Sequence, residues 1–154
     1  MTSVSPHAAS SSRVADGYAD RLSLLVYRLA TELLDRLDRH VGFDLTAREY
    51  TALALLARDR PGSQHELGRL MGLAPQLVVA LTDGLEDRGL VARRTNPDDR
   101  RRTLVELTEE GRGALARADE LAAEVEREVL GPLEARERKR LHEMLRRALA
   151  EPPR

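Results

Sequence analysis

The chain contains no cysteine, no tryptophan and few aromatic residues of any kind, which make up 3% of its 154 residues. Without cysteine it can form no disulfide, no thiolate metal site, no cysteine nucleophile and no thiol-based redox sensor. No stretch approaches the roughly 18 consecutive apolar residues of a membrane-spanning helix. Residues 1–13 also lack the charged start and apolar centre of a secretory signal. We therefore expect a cytoplasmic protein with no membrane partner and a disordered tail over residues 1–15.

Charged residues are abundant by contrast, at 33% of the chain, and they almost balance, with a formal net charge of −1. Their distribution is uneven. Five arginines face two aspartates between Arg93 and Arg102, whereas seven acidic residues face three arginines between Glu109 and Glu128. The near-neutral total thus hides one strongly basic segment, which leaves nucleic acid open as a partner.

The apolar pattern of the first third of the chain predicts two helices. An amphipathic helix is expected from about Asp16 to His40, because apolar residues recur there every three or four positions. Thr46 and Glu49 have the spacing of a capping box, which predicts a second helix that reaches about Arg58.

Two further helices are predicted close together. Ser63 and Glu66 again have capping-box spacing, and Gly72 sits where a left-handed residue ends a helix. Pro75 then occupies the favoured first position of a longer helix that Gly89 closes. Helices of about eight and fourteen residues joined by a tight turn with glycine are typical of a helix-turn-helix.

A β-hairpin is predicted directly after these helices. It consists of a strand around Leu90 to Thr95, the turn Asn-Pro-Asp-Asp and a strand from Thr103 to Leu107. Together the helices and the hairpin make a winged helix-turn-helix. Thr108 is a good N-cap for a long helix, and a last helix follows the break at Gly131 and Pro132.

The outer helices carry more apolar surface than so small a module can cover, and burying it against a second copy predicts a homodimer. The expected fold class is mainly α with a small β-hairpin wing: a winged helix-turn-helix with long N- and C-terminal dimerisation helices. Residues 16–45 are expected to form the N-terminal dimerisation helix, residues 46–108 the DNA-binding domain, and residues 109–150 the C-terminal dimerisation helices.

The chain resembles the MarR family of bacterial transcriptional regulators in the order of its elements and in two neighbouring sequence motifs. These motifs are L-E-D-R-G-L-V-A-R-R and the following N-P-D-D-R-R-R-T-L-V-E-L-T-E-E-G. The resemblance covers roughly Tyr18 to Leu149. It implies a homodimer that binds a palindromic operator in double-stranded DNA, represses transcription and is released by a small organic effector. It also places Asp99 and Arg101 in the wing, where the family carries a D-x-R pair.

The residues themselves indicate how such a protein meets DNA. If Val78, Leu81 and Leu85 face the core, the opposite face of that helix looks outward, with Gln76 as nearly its only hydrogen bonder to base edges. At the wing tip, Arg101 is expected to enter the minor groove, held extended by Asp99. The predicted DNA-binding residues are Ser63, Gln64, His65, Pro75, Gln76, Leu77, Val79, Ala80, Asp99, Arg100, Arg101 and Arg102. Arg93 and Arg94 either contact DNA or pair with Glu106 across the hairpin.

An effector is expected where the second helix meets the long outer helices. The candidate residues there are Tyr27, His40, Phe43 and Tyr50, although scarce aromatic residues of this kind also serve as core. One alternative is a zinc-responsive regulator of the same fold that uses His40 and His65, but no histidine pair has tight ligand spacing. A second alternative is a helical interaction module that no longer binds DNA, which the apolar recognition helix favours. No nucleophile–base pair, phosphate-binding loop or metal triad is present, so neither an enzyme nor a cofactor is expected.

Overall fold

The computed structural model of the chain describes residues 21–40, 44–59, 63–96 and 103–150. Most of these residues are helical, and the order of elements is the predicted one. The elements are α1 (Leu22–Arg39), α2 (Ala47–Arg58), α3 (Gln64–Met71), α4 (Pro75–Asp87), β1 (Val91–Thr95), β2 (Thr103–Leu107), α5 (Glu109–Val129) and α6 (Ala135–Ala150).

The helix ends are fixed by the local contacts that the sequence predicts. Glu49 Oε2 accepts from the Thr46 backbone N–H at 2.7 Å, and Thr46 Oγ1 accepts from the Glu49 N–H at 3.2 Å, which confirms the capping box of α2. Ser63 Oγ accepts from the Glu66 N–H at 3.1 Å at the start of α3. Gly72 ends α3 with a left-handed φ of 63°, which glycine adopts without strain.

The main apolar core lies where α2, α3, α4 and α5 enclose the β-hairpin. Three leucines at its centre, Leu53, Leu67 and Leu85, are completely buried. A second, smaller cluster joins α1, α2 and α5 through Leu37, Ala47, Ala122 and Val125. Tyr50 packs against both clusters, so α2 connects the helix-turn-helix core to the long helices.

The hairpin is antiparallel, and its register runs from Val91 opposite Leu107 to Thr95 opposite Thr103. Val91 and Val105 are buried beneath α2 and α4. The strand β2 has the predicted bounds. Val105 is buried between the less buried Leu104 and Glu106, because successive side chains point to opposite faces. Thr103 lies on the same face as Val105 but is exposed at the outer end of the strand.

The outer helices leave much apolar surface uncovered in a single chain. On α1 only Leu37 is buried, and on α6 no residue is buried. The exposed apolar side chains of these helices are Leu22, Leu24, Leu25, Val26, Tyr27, Leu34, Met144, Leu145 and Leu149. In the described part of the chain, no helix has both the length and the apolar character needed to cross a membrane.

The first turn of α5 approaches the backbone between α4 and β1 very closely. The Thr108 N–H donates to the Leu90 carbonyl at 3.1 Å, and the Thr108 hydroxyl donates to the Gly89 carbonyl at 2.6 Å. A Cβ added at Gly111 would overlap the Leu90 carbonyl oxygen, whereas one at Gly113 would meet only the flexible Arg117 guanidinium, at 3.4 Å. Gly111 is therefore required for this contact, and Gly113 is not.

We predict that Gly111→Ala lowers the free energy of unfolding by about 1 to 3 kcal/mol, because the backbone of α5 must move away from Leu90. Gly113→Ala is the matched control in the same helix, and its better helix propensity should leave stability unchanged or raise it by roughly 0.5 to 1 kcal/mol. Urea unfolding at one fixed protein concentration measures both. Equal effects of the two substitutions would show that the close approach of Gly111 to Leu90 does not contribute to stability.

Candidate nucleic-acid interface

Helix α4 has one buried face and one exposed face, as the sequence predicts. Val78 and Leu85 are buried and Leu81 is half-buried against the core. The predicted outward residues are all exposed, and Leu77 and Val79 expose nearly half of their side chains; these residues are Gln76, Leu77, Val79, Ala80 and Asp83. The exposed surface of the N-terminal half of α4 is therefore largely apolar, with Gln76 as the polar group in its first turn.

Helices α3 and α4 cross closely enough that one of them needs a glycine. A Cβ at Gly68 would lie 2.7 Å from Val78 Cγ2, which is too short for two carbon atoms. The Leu73 N–H donates to the Gly68 carbonyl at 2.9 Å and shapes the turn that follows. This tight turn sets how α4 projects from the rest of the domain.

The start of α3 lies beside α4 and borders a cavity of about 380 Å³ between the two helices. Gln64, His65 and Pro75 line this cavity, so the structure brings these predicted DNA-binding residues together. His65 is exposed, whereas Gln64 Nε2 is buried and has no hydrogen-bond acceptor within the described parts of the chain. The Ser63 hydroxyl caps α3.

Arg93 of β1 ties the hairpin to α4. Its guanidinium donates to Thr82 Oγ1 at 2.5 Å and pairs with the carboxylates of Asp83 at 2.5 Å and Glu86 at 2.7 Å. Burial disfavours the charged form of Arg93, but the hydrogen bonds that it donates to Asp83 and Glu86 outweigh this effect and raise the pKa of the guanidinium. The Asp83 carboxylate, which would otherwise repel a phosphate, is thereby neutralised.

Of the alternatives left open for Arg93, the pairing with Glu106 is wrong, and the strand register gives the reason. Arg93 stands opposite Val105, which is buried, so its side chain lies on the inner face of the hairpin, towards α4. Arg94 points the other way, and its pair with Glu106, at 3.2 Å, is confirmed. Sequence reasoning also missed that Thr82 is completely buried, with its hydroxyl donating to the Val78 carbonyl at 2.9 Å.

The predicted wing tip, with Asp99, Arg100, Arg101 and Arg102, lies outside the described residues, as does Phe43. The two strands that lead to the tip are described, and β1 packs against α4. The assignment of these arginines to DNA stays a prediction.

The three described effector candidates do not converge on one place in a single chain. Tyr27 is exposed on α1, about 20 Å along the helix from His40 at 1.5 Å per residue. His40 borders an open groove of about 560 Å³ with Glu32, Arg36 and Val125. Tyr50 is half-buried, and its hydroxyl donates to Asp119 Oδ1 of α5 at 2.7 Å. Burial, reinforced by Asp119, raises the pKa of Tyr50, which keeps this hydroxyl protonated.

The described residues contain no cluster of side chains that could bind a metal ion. No group of three or more histidine, aspartate or glutamate side chains in these residues is placed to hold a metal ion. His40 and His65, the pair considered for zinc, belong to different surfaces, the first beside α5 and the second beside α4.

A glycine-dependent helix crossing, a projecting second helix and a hairpin packed beside it define a winged helix-turn-helix DNA-binding protein. The chain belongs to the MarR family, and residues 43–102 match the model of that family. The transcriptional regulator HosA of Escherichia coli O111:H- is 32% identical over 107 residues, which cover 69% of this chain and 78% of that protein.

Solved structures agree with this assignment. CouR from Rhodococcus jostii RHA1, bound to p-coumaroyl-CoA, is 29% identical with a TM-score of 0.71, covering 88% of this chain and 96% of its own. The transcriptional regulator PcaV from Streptomyces coelicolor, in complex with its natural ligand, is 25% identical with a TM-score of 0.68, covering 97% of this chain and 98% of its own. This chain is thus a transcriptional regulator of the MarR type and not an enzyme, as the sequence predicts.

We predict that Arg93→Ala lowers the free energy of unfolding by about 1 to 3 kcal/mol, because it leaves two carboxylates of α4, Asp83 and Glu86, without their shared partner. Arg94→Ala removes a guanidinium from the next position of the same strand. Its pair with Glu106 is exposed, so the expected loss is at most about 1 kcal/mol. Denaturant unfolding of the two variants under identical conditions measures the difference. A larger loss for Arg94→Ala would contradict the role assigned to Arg93.

Proposed function

We propose that this protein is a repressor that binds a palindromic operator as a homodimer and is released by a small organic effector. The observation that carries the proposal is the exposed outer face of α4, which the crossing of α3 and α4 and the Arg93 clamp hold in a fixed orientation. An α-helix of this kind fits the major groove of B-DNA.

The side chains on the exposed face of α4 indicate which bases this helix recognises. Gln76 can form two hydrogen bonds with an adenine, and the apolar side chains of Leu77, Val79 and Ala80 suit contact with thymine methyl groups. His65 lies across the cavity from α4 and is well placed for a phosphate. Phosphate contacts from the start of α3 would position the protein on the DNA, and base contacts from α4 would give the sequence preference.

The wing is proposed to add a minor-groove contact. Arg101, kept extended by Asp99, enters a narrow A·T-rich groove, while Arg100 and Arg102 meet the flanking phosphates. The inward pairing of Arg93 supports this division of roles, because it engages Arg93 with α4 and not with DNA.

The homodimer is supported by the uncovered apolar faces of α1 and α6. A buried leucine contributes roughly 1.5 to 3 kcal/mol relative to an exposed one. Leu22 on α1 and Leu149 on α6 are each more than three-quarters exposed. Within the described chain, no helix or strand covers the apolar face of α6, and α1 buries only Leu37. A second copy of the same helices buries these faces symmetrically.

An effector is proposed to act where α2 meets α5. The Tyr50–Asp119 hydrogen bond lies at this junction, and Asp119 also lines a groove of about 620 Å³ between α2, β2 and α5. The relatives crystallised with p-coumaroyl-CoA or with a natural ligand support an organic effector. A ligand that prefers the released form about a hundredfold, or about 2.7 kcal/mol, suffices to shift operator occupancy.

The operator proposal is tested by footprinting the protein on its own upstream DNA. We expect protection of two half-sites about 10 bp apart. In Gln76→Ala, preference at one position of each half-site should fall by about 1 to 3 kcal/mol. The control His65→Ala should weaken binding to all sequences alike, because phosphates carry no sequence information. A uniform loss in Gln76→Ala would instead identify Gln76 as a phosphate contact.

The dimer proposal is tested by Val26→Glu, which places a charge on the exposed apolar face of α1. Burying an unpaired charge in each protomer costs several kcal/mol, so the dimer dissociation constant should rise at least about a hundredfold. Leu70→Glu is the control, since Leu70 is similarly exposed but lies on α3, away from α1 and α6. Light scattering at micromolar concentration measures both, and a stable folded wild-type monomer would overturn the proposal.

A further inference from the structure

Arg88, the residue that ends α4, reaches back to the start of α2. Its Nη1 donates to Glu49 Oε1 at 2.9 Å, and its Nη2 donates to the Asp44 backbone carbonyl at 2.9 Å. The two contacts use both arms of the planar guanidinium, so they fix its direction as well as its distance. The C-terminal end of the recognition helix is thereby joined to a different helix.

The partner of Arg88 is itself held rigidly. The second oxygen of Glu49, Oε2, accepts from the Thr46 backbone N–H at 2.7 Å and from the Thr46 hydroxyl at 3.1 Å. Only 17% of the Glu49 side chain is exposed, against 41% for Arg88. This carboxylate is therefore not a mobile surface group, and holding Arg88 to it costs little further side-chain entropy.

The start of α2 is in turn fixed to α1. Asp38 Oδ1 accepts from the Ala47 backbone N–H at 2.5 Å, and Ala47 packs with Leu37 and Val125 in the smaller apolar cluster. A continuous series of short contacts thus runs from α1, through the first turn of α2, to the end of α4. We call the contacts of Asp38, Thr46, Glu49 and Arg88 the α1–α4 link.

We propose that Arg88 is a positioning residue that sets the angle of the recognition helix relative to α1, and so sets the separation of the two recognition helices in the dimer. The inference rests on the proposed function, since α1 is the helix that meets its symmetry mate there. A change of angle at the end of α4 is carried along the helix to Gln76, twelve residues or about 18 Å away.

Two other roles for Arg88 make different predictions. An ordinary exposed ion pair adds little stability and has no influence on operator geometry. A direct phosphate contact would make binding more dependent on salt, and its removal would lower the slope of log K against log salt by about one. A positioning residue changes the preferred spacing of half-sites and leaves that slope unchanged.

The test uses Arg88→Ala and a set of duplexes that carry two half-sites at spacings from below to above the wild-type optimum, together with a duplex that carries one half-site. We expect Arg88→Ala to lose about fivefold or more in affinity at the optimal spacing, with little change on the single half-site. Its preference among spacings should become broader. Fluorescence anisotropy at two or more salt concentrations measures the affinities and the salt slope.

Three further variants sharpen the result. Glu49→Gln keeps an oxygen that can cap Thr46 but turns an amide towards Arg88, so it should broaden the spacing preference with α2 intact. Arg88→Lys can keep only one of the two contacts and should restore part of the preference. Arg58→Ala is the control, because it removes an equally basic side chain from the end of α2 whose pair with Asp59, at 3.0 Å, is local.

The outcomes separate the positioning role from the proposed function. If the wild-type protein shows no spacing preference, the two half-site mode of binding fails, and the positioning role fails with it. If the wild-type protein has a preference that Arg88→Ala and Glu49→Gln both retain, the positioning role alone is wrong. A uniform loss on all duplexes with an unchanged salt slope would reduce Arg88 to a stabilising residue, and a slope lowered by about one would make it a phosphate contact.

Discussion

The structure depends on how the recognition helix α4 is held at its C-terminal end. A helix that reads base edges must keep its orientation, and the turn before α4 fixes only its first residues. At the other end, Gly89 and Leu90 accept hydrogen bonds from Thr108 of the α5 cap, and Arg88 reaches α2. The end of α4 is thus anchored to two helices outside the helix-turn-helix, and the absence of a side chain at Gly111 makes the closer of these contacts possible.

Two acidic residues of α4, Asp83 and Glu86, are paired with an arginine of the hairpin. Asp83 and Glu86 follow the exposed turn of the helix, where their carboxylates would repel phosphates. Arg93 pairs with both carboxylates from the inner face of the hairpin, at 2.5 and 2.7 Å, and halves their combined negative charge. This also links strand β1 of the hairpin to α4. The near-neutral total charge of the chain thus includes a basic segment, Arg93 to Arg102, whose first arginine is paired with acidic residues of α4.

The sequence predicts those parts of the fold that depend on neighbours along the chain. The capping residues Thr46 and Ser63, the left-handed Gly72 and the bounds of β2 are all set by spacings of a few residues, and all are confirmed. The exposed face of α4 follows from helical periodicity in the same way. What the sequence could not supply are contacts between distant segments. The partner of Arg93 depends on strand register, and Arg88 and Glu49 stand 39 positions apart.

Tyr50, one of few aromatic residues in the chain, connects the two apolar clusters. It is the one residue that packs against both apolar clusters, as far as the described residues show, and its hydroxyl binds Asp119 of α5. Because burial raises the pKa of Tyr50, its hydroxyl stays a donor throughout the physiological range. It lies one position beyond Glu49, which holds Arg88. The Tyr50–Asp119 hydrogen bond and the Glu49–Arg88 contact thus start from neighbouring residues of α2, so a displacement of α2 relative to α5 would act on both contacts together.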